Sequence, residues 1–505
     1  MCFILLIIPF QTGNAQSNQP MRVEFSSLGR QDDFHLMLAE DKGFVIIRDD
    51  GKSSDDEIII KLFCYSEDME KKWNSTITVY KDYSFSKKYY RNGFGYLLFS
   101  DSNNKGSNFK VFRIDIATGK VTSREFSVED KILAVDFISV NGHSYVLARE
   151  GKGLTNLITN VFSKSDKNSG MLRFFHYNWQ EEKLNNLTDS VQGPMQPRQI
   201  EVFDQGKTVD LYAVKSSDKY TDEIWRYSFS FNGTLGEKYQ YSRIKGKTVV
   251  NIAINEYENR RFLAATMSSM RNRYDHYEDY ADGIFVSIFS KGKEENSKYY
   301  KLSNINAFYS HTNSDMFQFF PGKNKVQGSV GYPILLHQEA ITDPKQNVIL
   351  AEAYYPEYRT EWYYDAYGVA HTRKVFEGYR FTHALAVSFS NDCDIAWDAA
   401  IKMPEIHSYD RHQKAGLITD EKTTGIVYNF DNEISYQLVS EDKKLNGRKT
   451  ATLPLMSKND NLKNSNYERI QYWYGDYMLA SGYQKINNNQ KGNRQVFYVY
   501  KIAFR

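Results

Sequence analysis

Residues 347–355 (NVILAEAYY), 384–390 (ALAVSFS) and 395–401 (IAWDAAI) read as three consecutive β-strands, with a tight turn at 391–394 (NDCD) between the last two. Their apolar residues recur with a period near two, which fits strands rather than helices. A Tyr/Trp-rich excursion, residues 354–380, separates the first two runs. Without that excursion, the same arrangement recurs seven more times along the chain.

The recurring unit has an inner strand, a loop, a partner strand and a turn. The inner strands read 43–49, 93–100, 143–149, 209–215, 261–267, 347–355, 425–430 and 477–483. Their partners read 57–65, 108–115, 171–177, 223–230, 283–290, 384–390, 434–440 and 495–502. A further strand-like run follows most partners, as at 73–79 and 121–126, and an apolar run such as 132–139 or 249–254 precedes most inner strands. Four antiparallel strands in each unit of roughly 50–60 residues is the pattern of a β-propeller blade. The fold expected is all-β: a single propeller over residues 16–505, with eight four-stranded blades. Seven is the alternative, because the unit at 132–187 is irregular. The last unit ends with 495–502, and 21–25 offers a spare strand to complete it and remove its open edge.

At 505 residues the chain needs several domains or a repeat. Lys and Arg number 64 against 62 Asp and Glu, which gives no general attraction to nucleic acid or anionic membrane. Residues 3–10 form a short apolar run, too short to span a bilayer, followed by Gly13-Asn14-Ala15. This reads as a signal peptide, residues 1–15, cleaved after Ala15, although it lacks the usual basic start; a buried first strand is the alternative. The expected location is therefore periplasmic or extracellular. No later stretch is long and apolar enough for a membrane span. After cleavage only Cys64 and Cys393 remain, too few for a disulfide framework and without zinc-site spacing. Both are expected as free thiols. Cys64 ends a strand and should be inert, whereas Cys393 sits in a turn and should be the more reactive.

The Ala15-Gln16 junction and residues 351–368 (AEAYYPEYRTEWYYDAYG) carry a further signal. With the blade pattern, the sequence resembles secreted β-propeller-like proteins of the Bacteroidota type. That resemblance is loose over the whole length; it implies the fold and export, and it brings no activity with it. The recurring signatures of WD and kelch repeats are absent.

Function in such a scaffold is expected in loops that join second to third strands on one face. Most are short and polar, such as 49–56, 101–107 and 216–222, and read as solvated turns. Two neighbours differ. Residues 268–282 of the fifth unit bring Tyr274, His276, Tyr277 and Tyr280, and 354–380 of the sixth bring Tyr355, Tyr358, Arg359, Trp362, Tyr363, Tyr364, Tyr367 and Arg373. Tyr, Trp and Arg are the residue types that dominate interface hot spots, and their rings also stack on sugars. The opposing reading is a hairpin that packs its own rings, with Tyr358, Trp362 and Tyr364 on one side. Asp275, Glu278, Asp279 and Asp282 supply only a fragment of a calcium loop, and a charged turn balanced by Arg271 and Arg273 explains them better. No serine-elbow, phosphate-loop or zinc-protease motif occurs, so no catalytic residue, metal site or cofactor is assigned.

The expectation is an exported, non-catalytic, monomeric ring that binds an envelope or extracellular protein, or a glycan, through the two loops. The alternative is a carbohydrate-active hydrolase or lyase at the ring's mouth. Its sign would be two or three acids and a His converging there with raised pKa values.

Overall fold

The computed structural model describes residues 21–27, 34–52, 56–103, 106–150, 171–191, 193–203, 207–218, 220–269, 280–309, 331–342, 346–419, 423–440, 445–490 and 492–504. The signal segment and most of the fifth unit's loop, including Tyr274, His276 and Tyr277, lie outside these residues. Eight four-stranded antiparallel sheets follow one another along the chain, the arrangement of β-propeller blades. The third, from the unit whose irregularity left seven open, comprises Ile132–Val140, His143–Glu150, Leu172–Asn178 and Lys183–Asn186. The sixth gains a two-residue extra strand, Tyr280–Ala281, beside its first.

The expected inner strands stand second in their sheets. Phe44–Lys52, for example, is second in its sheet, after Phe34–Leu38. Most first strands are the short apolar runs ahead of each unit, and from the first sheet to the eighth they lie one against the next. Second and third strands are covered on both faces, so they read as nearly unbroken apolar runs. First strands carry a repeated irregularity: the register slips between Phe85 and Lys87, Ala134 and Asp136, Pro197 and Gln199, and Val249 and Asn251. In each case a polar residue follows the bulge, which re-aims a side chain locally.

Eight apolar clusters hold the sheets together, each drawn mainly from two successive sheets. Val45 and Leu62 of the first sheet meet Leu97 and Ile114 of the second. Phe44 and Ile46, on the other face of that first sheet, meet Leu479 and Val499 of the eighth. Phe34 stacks flat on Phe497 at 4.6 Å, and Trp473 Nε1 donates to the Gly43 carbonyl at 3.0 Å. The packing therefore runs from the last sheet back to the first.

The eighth sheet takes its outer strand from the other end of the chain. Arg22–Ser26 pairs antiparallel with Gly492–Ala503, from Arg22↔Tyr500 to Ser26↔Val496. Arg22 is 3% exposed; its guanidinium donates to Gln484 Oε1 at 2.6 Å and lies 4.5 Å from the Tyr498 ring. A hydrogen bond to a charged group of this kind is worth roughly 1.5–3 kcal/mol.

Two expectations about turns need correction. The segment at 216–222 is not dispensable surface: Thr221 and Asp222 are buried, Asp222 Oδ2 accepts from the Val249 N–H at 3.0 Å, and Thr221 Oγ1 accepts from the Gly246 N–H at 3.0 Å. These bonds tie the turn to the next sheet. Cys393 sits in a turn as expected but is fully buried, with its S–H directed to the Asn296 carbonyl. Burial pushes its thiol up to about 12, and that of Cys64 up to about 11. Neither thiol is the reactive one.

Two outcomes follow. A chain starting at Phe34 lacks the strand on Gly492–Ala503 and should melt at lower temperature and associate through the exposed edge, read by calorimetry and size-exclusion chromatography. A thiol reagent at pH 8 should label neither Cys64 nor Cys393 in the folded chain and both after unfolding without reductant, read by mass spectrometry.

Candidate functional site

The excursion of the sixth unit is a continuation of the sheet. Asn347–Tyr364 and Ala370–Phe389 pair along their whole length, through Tyr355↔Arg380 and Arg359↔Val375 to Tyr364↔Ala370. The sheet's third and fourth strands stay paired out to Tyr379↔Ser408, beyond which the hairpin stands as two strands. Its tip is closed chemically. Asp365 Oδ1 accepts the N–H groups of Tyr367 and Val369, both at 2.9 Å, and Gly368 takes the left-handed conformation at φ 78°. The Asp365 carboxyl is held below its usual range, first by the His371 hydrogen bond and then by these amides.

Directly opposed residues of an antiparallel pair share a face. One face carries Tyr358, Thr360, Trp362 and Tyr364 opposite Phe376, Lys374, Thr372 and Ala370. The other carries Arg359, Glu361 and Tyr363 opposite Val375, Arg373 and His371. The second face is cross-linked: Arg373 donates twice to Glu361 Oε2, at 3.1 and 2.9 Å, Arg359 Nε lies 3.2 Å from Glu377 Oε1, and Tyr363 stacks on His371 at 5.5 Å. Exposed pairs of this kind each contribute little to stability, but together they fix the hairpin's shape.

The rings divide by height. At the base Tyr354 is buried against Tyr379, and Tyr358, Phe376 and Tyr379 form an edge-to-face chain at 5.7 and 5.0 Å. Arg380 grips Glu357 with two bonds, at 2.8 and 3.2 Å. Tyr355 is half-buried, and burial raises the pKa of its hydroxyl. Towards the tip the rings are open: Trp362 is 73% exposed, Tyr364 74% and Tyr367 92%. Tyr363, Arg359 and Arg373 are also exposed. Tyr280 is not displayed beside them. It is 5% exposed and pairs with Pro333 as part of the sixth sheet. Asp282 is likewise internal, bonded to Lys247 Nζ at 2.6 Å and to Tyr299 OH at 3.0 Å. Among the described residues no group of three or more His, Cys, Asp or Glu is placed to hold a metal ion, and no helix is long and apolar enough to cross a membrane.

A second set of groups lies mainly on the first strands and was not singled out from the sequence. Glu201 and Asp136 both have raised pKa values, through burial first; the charges of Asp136 and Glu256 add to the effect on Glu201, which reaches about 8. Asp136 Oδ2 accepts the Ile200 N–H at 2.9 Å, joining the third sheet to the fourth, and Gln199 Nε2 donates to Glu201. Further round, His337 Nε2 lies 3.1 Å from Glu352 Oε2, and Glu352 Oε1 takes the backbone N–H groups of Lys414 and Ala415. Among the described residues no hydrogen bond or ion pair joins the acids of the third and fourth sheets to this histidine. The available signal was the single charged residue inside an apolar run, as Asp136 in ILAVDFISV.

The raised pKa of Glu201 sets a pH dependence. The folded chain holds this proton more tightly than the unfolded one, so the group's contribution falls as pH rises from the usual glutamate range to about 8 and is constant above it. Glu201→Gln should flatten that part of the stability curve, raising Tm at pH 8 relative to wild type and leaving it nearly unchanged at pH 4.

No protein-family model matches the chain, and no curated protein matches it. Solved structures do. The polysaccharide lyase Uly1 aligns at TM-score 0.40 and 8% identity over 83% of this chain and 90% of its own. The β-propeller domain of the Trilobed protease from Pyrococcus furiosus aligns at TM-score 0.33 and 7% identity, over 84% and 96%. Prolyl oligopeptidase B from Galerina marginata aligns at TM-score 0.36 and 7% identity, over 90% and 55%. At these values they assign nothing to this chain, and the architecture rests on its own strand pairing.

Proposed function

We propose that the eight sheets are the blades of one closed ring, exported after removal of residues 1–15, which binds an envelope or extracellular protein through the tip of the sixth-sheet hairpin. The observation that carries the binding role is the exposure of Trp362, Tyr364 and Tyr367 on a hairpin whose base is packed and whose other face is cross-linked. Large rings carried on a cross-linked hairpin need little backbone ordering on binding, and each has few rotamers to lose, which is what makes aromatic hot spots effective. Ring closure is supported by the cluster that joins the last sheet to the first and by the N-terminal strand on the eighth sheet. Protein is favoured over glycan because the rings stand on a convex tip among Arg359, Arg373 and Lys374, rather than walling a cleft.

The test replaces residues 356–376 by a short Asn-Gly turn between Tyr355 and Glu377 and compares capture of partners from the native envelope fraction with that by the intact chain. The shortened chain should fold, because the pairs Val348↔Ser388 to Glu352↔Ala384 are untouched. It should lose the partner. With the partner purified, Trp362→Ala should weaken binding by about 2 kcal/mol, roughly 30-fold, whereas Met456→Ala, an exposed apolar site elsewhere, should change nothing. A shortened chain that unfolds, or a partner retained in full, refutes the reading. A glycan array bound by the intact chain and not by the shortened one would move the assignment to sugar.

A further inference from the structure

A pocket between the eighth sheet and the first two is lined by Lys88, Arg469, Gln471 and Ser481, with Phe34, Leu36, Tyr467, Tyr483 and Phe497 as its walls. Its polar side chains are short of partners. Lys88 uses one of its three donors on the Leu36 carbonyl, and no carboxylate forms an ion pair with it among the described residues. The Arg469 guanidinium makes no side-chain hydrogen bond among the described residues; the nearest acid, Asp410 Oδ2, is 3.6 Å away. That carboxylate is already engaged by His412 Nδ1 at 2.8 Å, Ser408 Oγ at 3.0 Å and Lys414 Nζ at 3.5 Å. The Gln471 amide and the Ser481 hydroxyl have no hydrogen-bond partner among the described residues either, and Ser481 is 4% exposed.

Two cations beside a hydroxyl and an amide without protein partners, set among apolar walls, offer donors that a ligand can use, and the Arg469 side chain, 28% exposed, keeps the site open to one. The charges already act on one another. Burial and then the Arg469 charge bring Lys88 down to about 8, and burial, Lys88, Arg469 and His412 bring His35 down to about 3. The space holds one or two water-sized groups, enough for one carboxylate and too little for a bulkier anion to sink fully.

We propose that this pocket binds the carboxylate of a small organic acid, or the carboxylate end of a longer ligand, with Arg469 and Lys88 holding its two oxygens and Ser481 or Gln471 donating a further bond. A planar guanidinium matches a carboxylate's two oxygens, a lysine adds a point charge, and Tyr467 and Tyr483 give the ligand's carbon an apolar seat.

The experiment is thermal melting of the full chain in sodium acetate, sodium propionate, sodium phosphate and sodium chloride, at pH 7 and equal ionic strength. Acetate and propionate should raise Tm over chloride with a saturable dependence on concentration. Lys88→Met should abolish the rise and Arg469→Lys should weaken it at least threefold in midpoint concentration, while both variants keep the wild-type Tm difference on removal of the N-terminal strand. No rise over chloride in the wild type overturns the proposal. An equal rise in Lys88→Met and Arg469→Lys does so too, and a larger rise with phosphate overturns the assignment to a carboxylate. None of these outcomes bears on the hairpin, which lies on the sixth sheet.

Discussion

Every sheet in this chain is apolar on both faces, and the rest of the structure depends on that constraint. Val45 and Ile47 face the second sheet while Phe44 and Ile46 face the eighth, all at or below 1% exposure. A row of such sheets would leave two large apolar faces in water, one at each end. Burying a side chain of this size stabilises by roughly 1.5–3 kcal/mol, so an open row would forfeit many such increments at once. Joining the last sheet to the first is the arrangement that leaves no face uncovered. The stack of Phe34 on Phe497 and the bond from Trp473 to Gly43 are where that joint is made.

The same constraint explains where polar side chains are tolerated. Between two sheets a charge must be paired, as Asp210 is with Arg261 at 2.8 Å, Arg261 lying in turn 3.6 Å from the Phe203 ring. On the first strands the chain has more freedom, because a bulge turns the next side chain out of register with the packed faces. Lys87, Asp136, Gln199 and Asn251 all follow such bulges. Their chemistry, and that of Lys88 and Arg469 nearby, is therefore compatible with a dry stack around it.

The repeat was legible because each unit's second and third strands, covered on both faces, are long unbroken apolar runs ended by polar turns. The shortest first strands were less so. The short first strands, such as Phe34–Leu38 and Ala415–Thr419, look like ordinary lead-ins, and only pairing identifies them as the inner edge. The excursion's alternation, Tyr358, Trp362 and Tyr364 against Arg359 and Glu361, was visible in the sequence and is the alternation of the hairpin faces. How far each ring stands from water was not visible, since that depends on where the fourth strand stops supporting it, at Tyr379↔Ser408. Cys393 misled for a related reason: a turn in sequence is exposed only if no neighbouring sheet covers it, and here the fifth sheet does, through Asn296 and Tyr300.

The pocket was hidden from sequence for a deeper reason. Lys88 comes from the second sheet, Phe34 and Leu36 from the first, and Arg469, Ser481 and Phe497 from the eighth, so nearly four hundred positions separate its two cations. No local pattern can announce such a site, because it exists only once the last sheet has been brought against the first. The pocket is thus a product of the joint that the two-faced sheets demand. A ligand that bridges Lys88 and Arg469 would hold the second sheet to the eighth across that joint, adding to the contact that covers the outer faces of the first and last sheets.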